Sequence, residues 1–532
     1  MNATAASNTD RGQNKAQAPD ASVNDWIAVA AGALGALMAT LDISITNTAL
    51  PQIQGEIGAT GTEGTWISTG YLVSEVVMIP LAAWLTRVFG LRNFLLANAA
   101  LFIIFSMMCG LADNLPQMII GRVGQGFTGG ALIPTAQTII ATRLPRHQMP
   151  IGMAAFGSIV LLGPMLGPVI GGWLAENISW SWCFFLNLPV CAALMGLLIL
   201  GLDKEHVRWP LFLNADWLGI AGLAVGLSCL TIVLEEGQRE RWFESQTIII
   251  LSIMTVAGFI MLAIAQWRNP EPVIKLRLLL NKNYASVIFI VVVVGASLYS
   301  VLYLLPQFLS NIAGYNAEQA GFVMLLSGLP AFLMMPFLPR LLQRFSVRSL
   351  VMLGLVCFST SCMLNIEVTA QSTGPDFVWS QILRGFGLVF CMMPLNQASM
   401  AAVSSAESGD AAGLYNMARN IGGSIGLALL GTFIDRRSNL HTSTLREALT
   451  ANSIAVQERI AGSAASLLPR TGDMAYARMQ ATSQLALQTA QQGLVITYGE
   501  AFFTLGVIMI CCIPLAIFLK KPKPGANMLG AH

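Results

Sequence analysis

The stretch Val287-Ile288-Phe289-Ile290-Val291-Val292-Val293-Val294 decides the class of fold. A backbone that crosses a hydrocarbon layer must satisfy its N–H and C=O groups internally, so only helices and closed barrels qualify. Barrel strands alternate apolar and polar residues. This run does not alternate, and neither do its apolar neighbours. They read as helices, and roughly 20 apolar residues suffice to cross a core about 30 Å thick.

Outward from that run, the 532 residues are 55% hydrophobic and 11% charged, far from a soluble mixture. Apolar stretches lie near 26–49, 65–86, 94–112, 115–141, 151–174, 182–201, 216–235, 247–266, 284–309, 319–342, 349–368, 377–403, 411–434 and 494–519. They predict an all-α membrane protein with fourteen transmembrane helices. The polar residues 1–25 are expected to form a disordered cytoplasmic tail, with the first span directing insertion. A net charge of +2 indicates no nucleic-acid partner. The nine cysteines include Cys109, Cys183, Cys191, Cys229, Cys362, Cys391, Cys511 and Cys512, all in or beside apolar spans and none in a CxxC pair. With only four scattered histidines, neither a metal site nor a disulfide framework is expected.

Basic residues set the orientation. Of the 29 Lys and Arg, eighteen fall on the side of the two termini, among them Arg87, Arg92, Arg143, Arg146, Lys204, Arg208, Lys520, Lys521 and Lys523. Eight fall on the other side, six of them in the long segment 435–493, and long translocated loops are largely exempt from the positive-inside rule. Both termini are therefore expected to be cytoplasmic. The remaining three, Arg122, Arg384 and Arg419, stand within spans.

The chain also repeats itself. Pro51-Gln52 recurs as Pro306-Gln307, Phe89-Gly90-Leu91-Arg92 as Phe345-Ser346-Val347-Arg348, and Arg122 as Arg384, at offsets of 255, 256 and 262. Three correspondences in order predict a six-helix half over 26–201 and another over 283–519. Two inserted spans with flanking loops occupy 202–282, and 520–532 forms the last tail. Parallel six-helix repeats build a substrate site near mid-depth.

These residues carry a family resemblance. Leu41-Asp42-Ile43-Ser44-Ile45-Thr46-Asn47-Thr48-Ala49-Leu50-Pro51 resembles the first-helix signature of the fourteen-span drug:proton antiporters of the major facilitator superfamily, the EmrB/QacA type. Gly121-Arg122-Val123-Gly124-Gln125-Gly126 resembles the fourth-helix motif, and Gly163-Pro164-Met165-Leu166-Gly167-Pro168-Val169-Ile170-Gly171-Gly172 the fifth-helix antiporter motif. Trp182–Pro189 and Tyr415–Ser424 are further matches. The resemblance implies a major facilitator fold, closer to the EmrB branch. It also implies proton-coupled export of lipophilic or cationic drugs and no cofactor. Relatives of the EmrB branch work with a periplasmic membrane-fusion adaptor and an outer-membrane channel, so both are candidate partners. The cytoplasmic gating loop Arg87, Gly90 and Arg92 departs from the family: Ala83 and Thr86 stand where Gly and Asp are usual. In the superfamily that Asp helps latch the halves together, so the latch is expected to be weaker or built otherwise, with Phe345–Arg348 a candidate to share its role.

Charges within spans are costly, about 2.5–3.5 kcal/mol each on insertion scales, and therefore mark function. Asp42 is the candidate proton carrier, with a polar packing contact to a helix end as the plainer alternative, and Arg122 is its expected partner. Glu75 is either a second protonation or cation-binding candidate or a buried structural hydrogen bonder. Arg384 and Arg419 are expected to tie helices together through backbone carbonyls, or to line a substrate path. Gly163, Gly167 and Gly171 line one helix face, and Pro164 and Pro168 allow it to bend, which suits a gating seam between rocking halves. Ordinary small-residue packing has the same pattern.

Two enzyme-like strings are dismissed. Gly124–Gly129 fits GxGxxG without a preceding strand, and Gly422–Gly426 fits GxSxG inside an apolar run. No Walker A string is present, so the chain is read as a secondary transporter rather than an enzyme. Segment 435–493 predicts a helical hairpin outside the membrane, with Leu445, Leu449, Val456 and Ile460 on one face and a break at Pro469 and Gly472. Two rival readings are a dedicated exporter or uptake symporter for one metabolite, and a membrane-embedded enzyme or receptor.

Overall fold

The computed structural model describes residues 20–145, 147–269, 272–449 and 453–517, and among them every regular element is a helix. Expectations for the first 19 residues, Arg146, Lys520, Lys521, Lys523 and the last tail fall outside the described residues. The N-terminal half comprises α1 (Val23–Glu56), α2 (Trp66–Phe89), α3 (Leu91–Gly110), α4 (Leu115–Gly129), α5 (Leu132–Arg143), α6 (Met149–Asn177) and α7 (Trp182–Gly201). The inserted pair is α8 (Trp217–Glu236) and α9 (Gln246–Arg268). The C-terminal half holds α10 (Lys282–Asn311), α11 (Ala317–Met334), α12 (Val347–Met363), α13 (Val378–Ala401), α14 (Ser408–Ala448), α15 (Ile454–Thr471) and α16 (Met474–Ala516). Twelve described helices are long and apolar enough to cross a membrane. The 17-residue α12 and the tandem α4–α5 occupy the places of the eleventh and fourth expected spans.

Local chemistry sets the helix ends. Ser22 accepts the Asp25 N–H at 3.2 Å while Asp25 accepts the Ser22 N–H at 3.0 Å, a reciprocal cap that starts α1. Asn316 and Gln319 repeat the device at α11. Gly90 joins α2 to α3 at φ 78°, and a Cβ there would lie 2.6 Å from Glu205 Cβ, so both backbone and space demand glycine. Pro51 and Pro306 do not follow their spans as expected. Each lies inside its helix, which continues to Glu56 and Asn311, because a proline after a long apolar run kinks a helix that its neighbours still support.

Lipid is as apolar as leucine, so helices associate through close packing rather than the hydrophobic effect. In the inserted pair a Cβ on Gly222 of α8 would lie 2.7 Å from the Leu262 nitrogen of α9. Between α10 and α14, a Cβ on Gly295 would lie 2.6 Å from the Arg419 carbonyl oxygen. One buried cluster, Val287 to Ala516, belongs wholly to the C-terminal half, and another is built from α1, α3, α5, α6 and α7 with Met400 and Ala412. A third joins α2, the inserted pair, Tyr284, Ala411 and Leu414. Each half thus has its own core, and the inserted pair sits against α2 where the halves meet.

Segment 435–493 holds the expected helical hairpin, α15 packed on the start of α16, but it is not separate from the spans. α14 runs unbroken to Ala448 and α16 begins at Met474, so both spans simply continue beyond the membrane-length stretch. Only α15 is additional, packed on α16 through Ala464, Ala477 and Ala481. Pro469 sits in the last turn of α15 rather than breaking it, and the chain turns at Gly472, φ 68°. Glu500 of α16 ties the extension of α14, accepting from Arg437 Nε at 2.7 Å with His441 Nε2 at 3.0 Å.

Candidate functional site

Asp42 lies on α1 and Arg122 on α4, and the structure brings them together: Arg122 Nη1 is 2.6 Å from Asp42 Oδ2, with both side chains at most 1% exposed. A buried ion pair is tolerated when further hydrogen bonds support its two members, and here both have them. Asp42 Oδ1 accepts from Asn187 Nδ2 of α7 at 2.6 Å and from Gln125 Nε2 at 3.1 Å. Arg122 donates from Nε to the Ile67 carbonyl at 3.2 Å and from Nη1 to Gln125 Oε1 at 3.0 Å. Ser106 of α3 closes the network, accepting from Gln125 at 2.9 Å and Asn187 at 2.8 Å while donating to the Phe184 carbonyl at 3.0 Å. The Arg122 guanidinium carbon also stands 4.3 Å from the Tyr71 ring centroid.

Arg122 and Gln125 share a face of α4 because they are three residues apart. The glycines around them let α4 press against its neighbours: a side chain on Gly124 would overlap Phe105, and one on Gly126 the Tyr71 carbonyl. The GxGxxG string is therefore a packing surface. Glu75 of α2 is 4% exposed, and its carboxylate has no hydrogen-bond or ion-pair partner among the described residues. The guanidinium groups that bear on it electrostatically are Arg419 of the other half first, then Arg122. Its backbone meets the break between α4 and α5, where a Cβ on Gly130 would lie 2.8 Å from the Glu75 carbonyl oxygen.

Arg384 and Arg419 do not bond backbone carbonyls as expected. Arg384, 3% exposed, bonds Gln381 Oε1 one turn back on α13 and lies 3.8 Å from Met324 Sδ. Arg419 Nε is buried with no hydrogen-bond partner among the described residues, and its guanidinium lies near Tyr299, whose hydroxyl donates to Asn420 Oδ1 at 3.4 Å.

The glycine stripe of α6 faces α1 of its own half. Side chains on Gly163 and Gly167 would overlap Thr40 and Ser44, and a Cβ on Gly171 would lie 2.8 Å from the Ile45 carbonyl oxygen. The contact between halves is made by the other face, where Pro168 and Met165 meet Gly321 and Gly328 of α11. Pro164 and Pro168 both lie within an unbroken α6.

At the face of the N-terminus, Arg87 reaches across to Asp410 of α14 at 2.9 Å, and Lys275 stands 3.4 Å from the same carboxylate. The halves are thus joined there by a carboxylate from the C-terminal half, in place of the acid missing from the loop. Arg92 and the Phe345–Arg348 block make no ion pair among the described residues, and Ser346 instead caps α12. Asn416 and Gln137 add a buried bond between halves at 2.8 Å. Sequence reading had singled out neither Asp410 nor Ser106, and Gln125 and Asn187 only as motif letters. A polar residue buried in mid-span was the available signal for Ser106; Asp410, in a polar stretch, offered none.

Two like halves joined by polar contacts, one of them enclosing a buried charge network, have the architecture of a membrane transporter. Residues 32–427 match the Major Facilitator Superfamily, and the chain belongs to that family. It is 30% identical to the colistin resistance protein EmrB of Acinetobacter baumannii, covering 94% of this chain and 97% of that protein. To the multidrug export protein EmrB of Escherichia coli K12 it is 28% identical, covering 94% and 96%. These relatives place it in the EmrB branch. The crystal structure of the human organic anion transporter MFSD10 (TETRAN) shares the fold, with a TM-score of 0.59 at 14% identity over 93% of this chain and 100% of that one.

Proposed function

We propose that this transporter is a proton-coupled antiporter that exports lipophilic or cationic toxic compounds, drugs among them, across the cytoplasmic membrane. The observation that carries the reading is the Asp42–Arg122 pair, 2.6 Å apart and sealed from solvent. A carboxylate beside a guanidinium resists protonation, and one left alone in apolar surroundings takes a proton readily. A motion that parts the two switches the site between release and uptake, so the proton gradient drives the cycle. Glu75, unpaired and flanked by Arg122 and Arg419, is the second proton or cation site, close to where the halves meet. α6 serves as the gating helix, fixed to α1 by its glycines and meeting α11 with its other face. The likeness to the multidrug export protein EmrB of Escherichia coli supports the direction of transport.

The basic residues put the Arg87 face in the cytoplasm and the extensions of α14 and α16 outside. Exposed Met479 and Leu487 on α16, with the six arginines of segment 435–493, suit docking of a periplasmic membrane-fusion adaptor that leads to an outer-membrane channel. Shortening between Ser438 and Gln491 then leaves vesicle transport intact and removes resistance in cells.

The decisive experiment is a substrate panel in proteoliposomes with an imposed pH gradient. Gradient-dependent exchange of several lipophilic cations is expected. Flux of a single metabolite, or flux in the direction of the proton, means a dedicated exporter or an uptake symporter instead.

A further inference from the structure

The inserted helices stand outside the six-helix repeat, yet the end of α8 and the turn after it touch both halves at the face opposite the N-terminus. Glu236 turns to the N-terminal half. Its Oε1 accepts from Thr69 at 3.1 Å and Thr65 at 3.4 Å, and Arg239 holds Oε2 at 2.9 Å while donating to Thr65 Oγ1 at 2.9 Å. Glu235, its neighbour in the chain, turns to the C-terminal half, where its Oε1 accepts from Ser424 of α14 at 2.9 Å. Trp242 Nε1 then donates to Thr432 Oγ1 of α14 at 3.1 Å. Gln238 lies against Gly431 of α14, where any side chain would overlap it. Arg241 and Trp242 both hold φ 56°, the only positive values at non-glycine residues among those described. Strain of that kind persists only where the surroundings enforce it.

We propose that Glu235–Trp242 is a clasp across the halves at this face, which stays with α2 and lets go of α14 when the halves part. The bonds decide which side releases. Glu236 is 3% exposed and accepts from the hydroxyls of Thr69 in α2 and Thr65 beside it, while Arg239, paired with Glu236 inside the clasp, donates to Thr65. The α14 side has one hydroxyl bond to part-buried Glu235 and one neutral bond from part-buried Trp242. Three charge-assisted bonds hold the α2 side and one holds the α14 side, and such bonds are the stronger kind, so the α14 contacts break first. Arg87–Asp410 joins the halves at the other face, and the clasp gives the inserted pair a matching place in the cycle. The inference rests on the reading of alternating halves.

Cysteine pairs Glu235→Cys/Ser424→Cys and Trp242→Cys/Thr432→Cys, in the full chain in proteoliposomes, are treated with a short reducible bis-methanethiosulfonate. Transport is expected to fall at least tenfold relative to the same variant before treatment and to return with dithiothreitol. The pair Thr69→Cys/Glu236→Cys should lose less than twofold. Cross-linked α14 pairs that still transport, or an equal loss in the α2 pair, overturn the proposal. A substrate-free reading guards against variants that are inactive from the start. Ala428→Cys lies between Ser424 and Thr432 at helical spacing. Its labelling by an impermeant thiol reagent should quicken at least fivefold with Glu235→Ala and stay unchanged with Glu235→Gln, which keeps an acceptor; equal rates in both overturn the clasp. If labelling behaves as expected while the unaltered chain shows no gradient-driven exchange, the antiport reading fails and the clasp stands.

Discussion

Arg87 and Asp410, 323 residues apart in the chain, meet across the two halves with Nη1 2.9 Å from Oδ2. Asp410 is 2% exposed and Arg87 36%, so the carboxylate is the buried member. Asp410→Asn removes the charge that both Arg87 and Lys275 use, and a hydrogen bond to a charged group contributes about 1.5–3 kcal/mol. Transport is expected to fall about tenfold. The double exchange Arg87→Asp/Asp410→Arg should recover part of it. Drug efflux from vesicles checks both, and full activity in Asp410→Asn would remove this pair from the gate.

Asp42→Asn keeps the size of the side chain, deletes its charge and turns one of its two accepting oxygens into a donor. Membrane yield should fall somewhat, because Arg122 loses its carboxylate, and proton-driven exchange per molecule of protein should be lost. Arg122→Ala should fail more broadly, because an unpaired buried carboxylate costs about 3–5 kcal/mol, and its yield should drop as well. Exchange against an imposed pH gradient measures the first, and membrane yield the second. Unaltered exchange in Asp42→Asn would take this carboxylate out of the proton path.

Glu75→Gln removes a charge that has no bonded partner to abandon, so folding should be unaffected. The expected change is in stoichiometry: fewer protons exchanged per drug molecule, or a reduced rate. Simultaneous drug and proton flux in proteoliposomes gives the ratio, and a ratio equal to that of the unaltered chain would assign Glu75 a structural part only.

Gly167→Val forces a side chain into Ser44, and the cost of overpacking is about 1–3 kcal/mol. Gly196→Ala meets nothing within 4 Å and serves as the neutral control. Thermal unfolding in detergent should show a lower transition for the first and an unchanged one for the second. Equal transitions would mean that α6 is not held to α1 by its glycine face.

Orientation is checked by labelling in intact cells. Ser346→Cys should resist a membrane-impermeant thiol reagent, and Ser463→Cys should react. The reverse pattern would invert the whole topology and with it the assignment of the export face.

Membrane residence, the helical class, the near-repeat of two halves and the pairing of Asp42 with a guanidinium were all legible in the amino-acid sequence. The reason is common to them. In a medium without water every backbone group and every charge must find a partner or carry a heavy cost, so composition and the few mid-span charges leave little choice. Run-length reading was weaker at the span ends, where α14 and α16 continue as helices through residues that look like loop.

Only the tertiary structure decided which surfaces meet. The glycine stripe announced a close approach, and the partner turned out to be α1 rather than the opposite half. Asp410 lay in a polar stretch, where a charge costs little and reveals nothing, until the fold buried it against Arg87 and Lys275. Glu235 and Glu236 are neighbours in sequence with the same side chain, yet one serves each half. Adjacent helical residues point about 100° apart, and what each one finds there depends on where distant helices have packed.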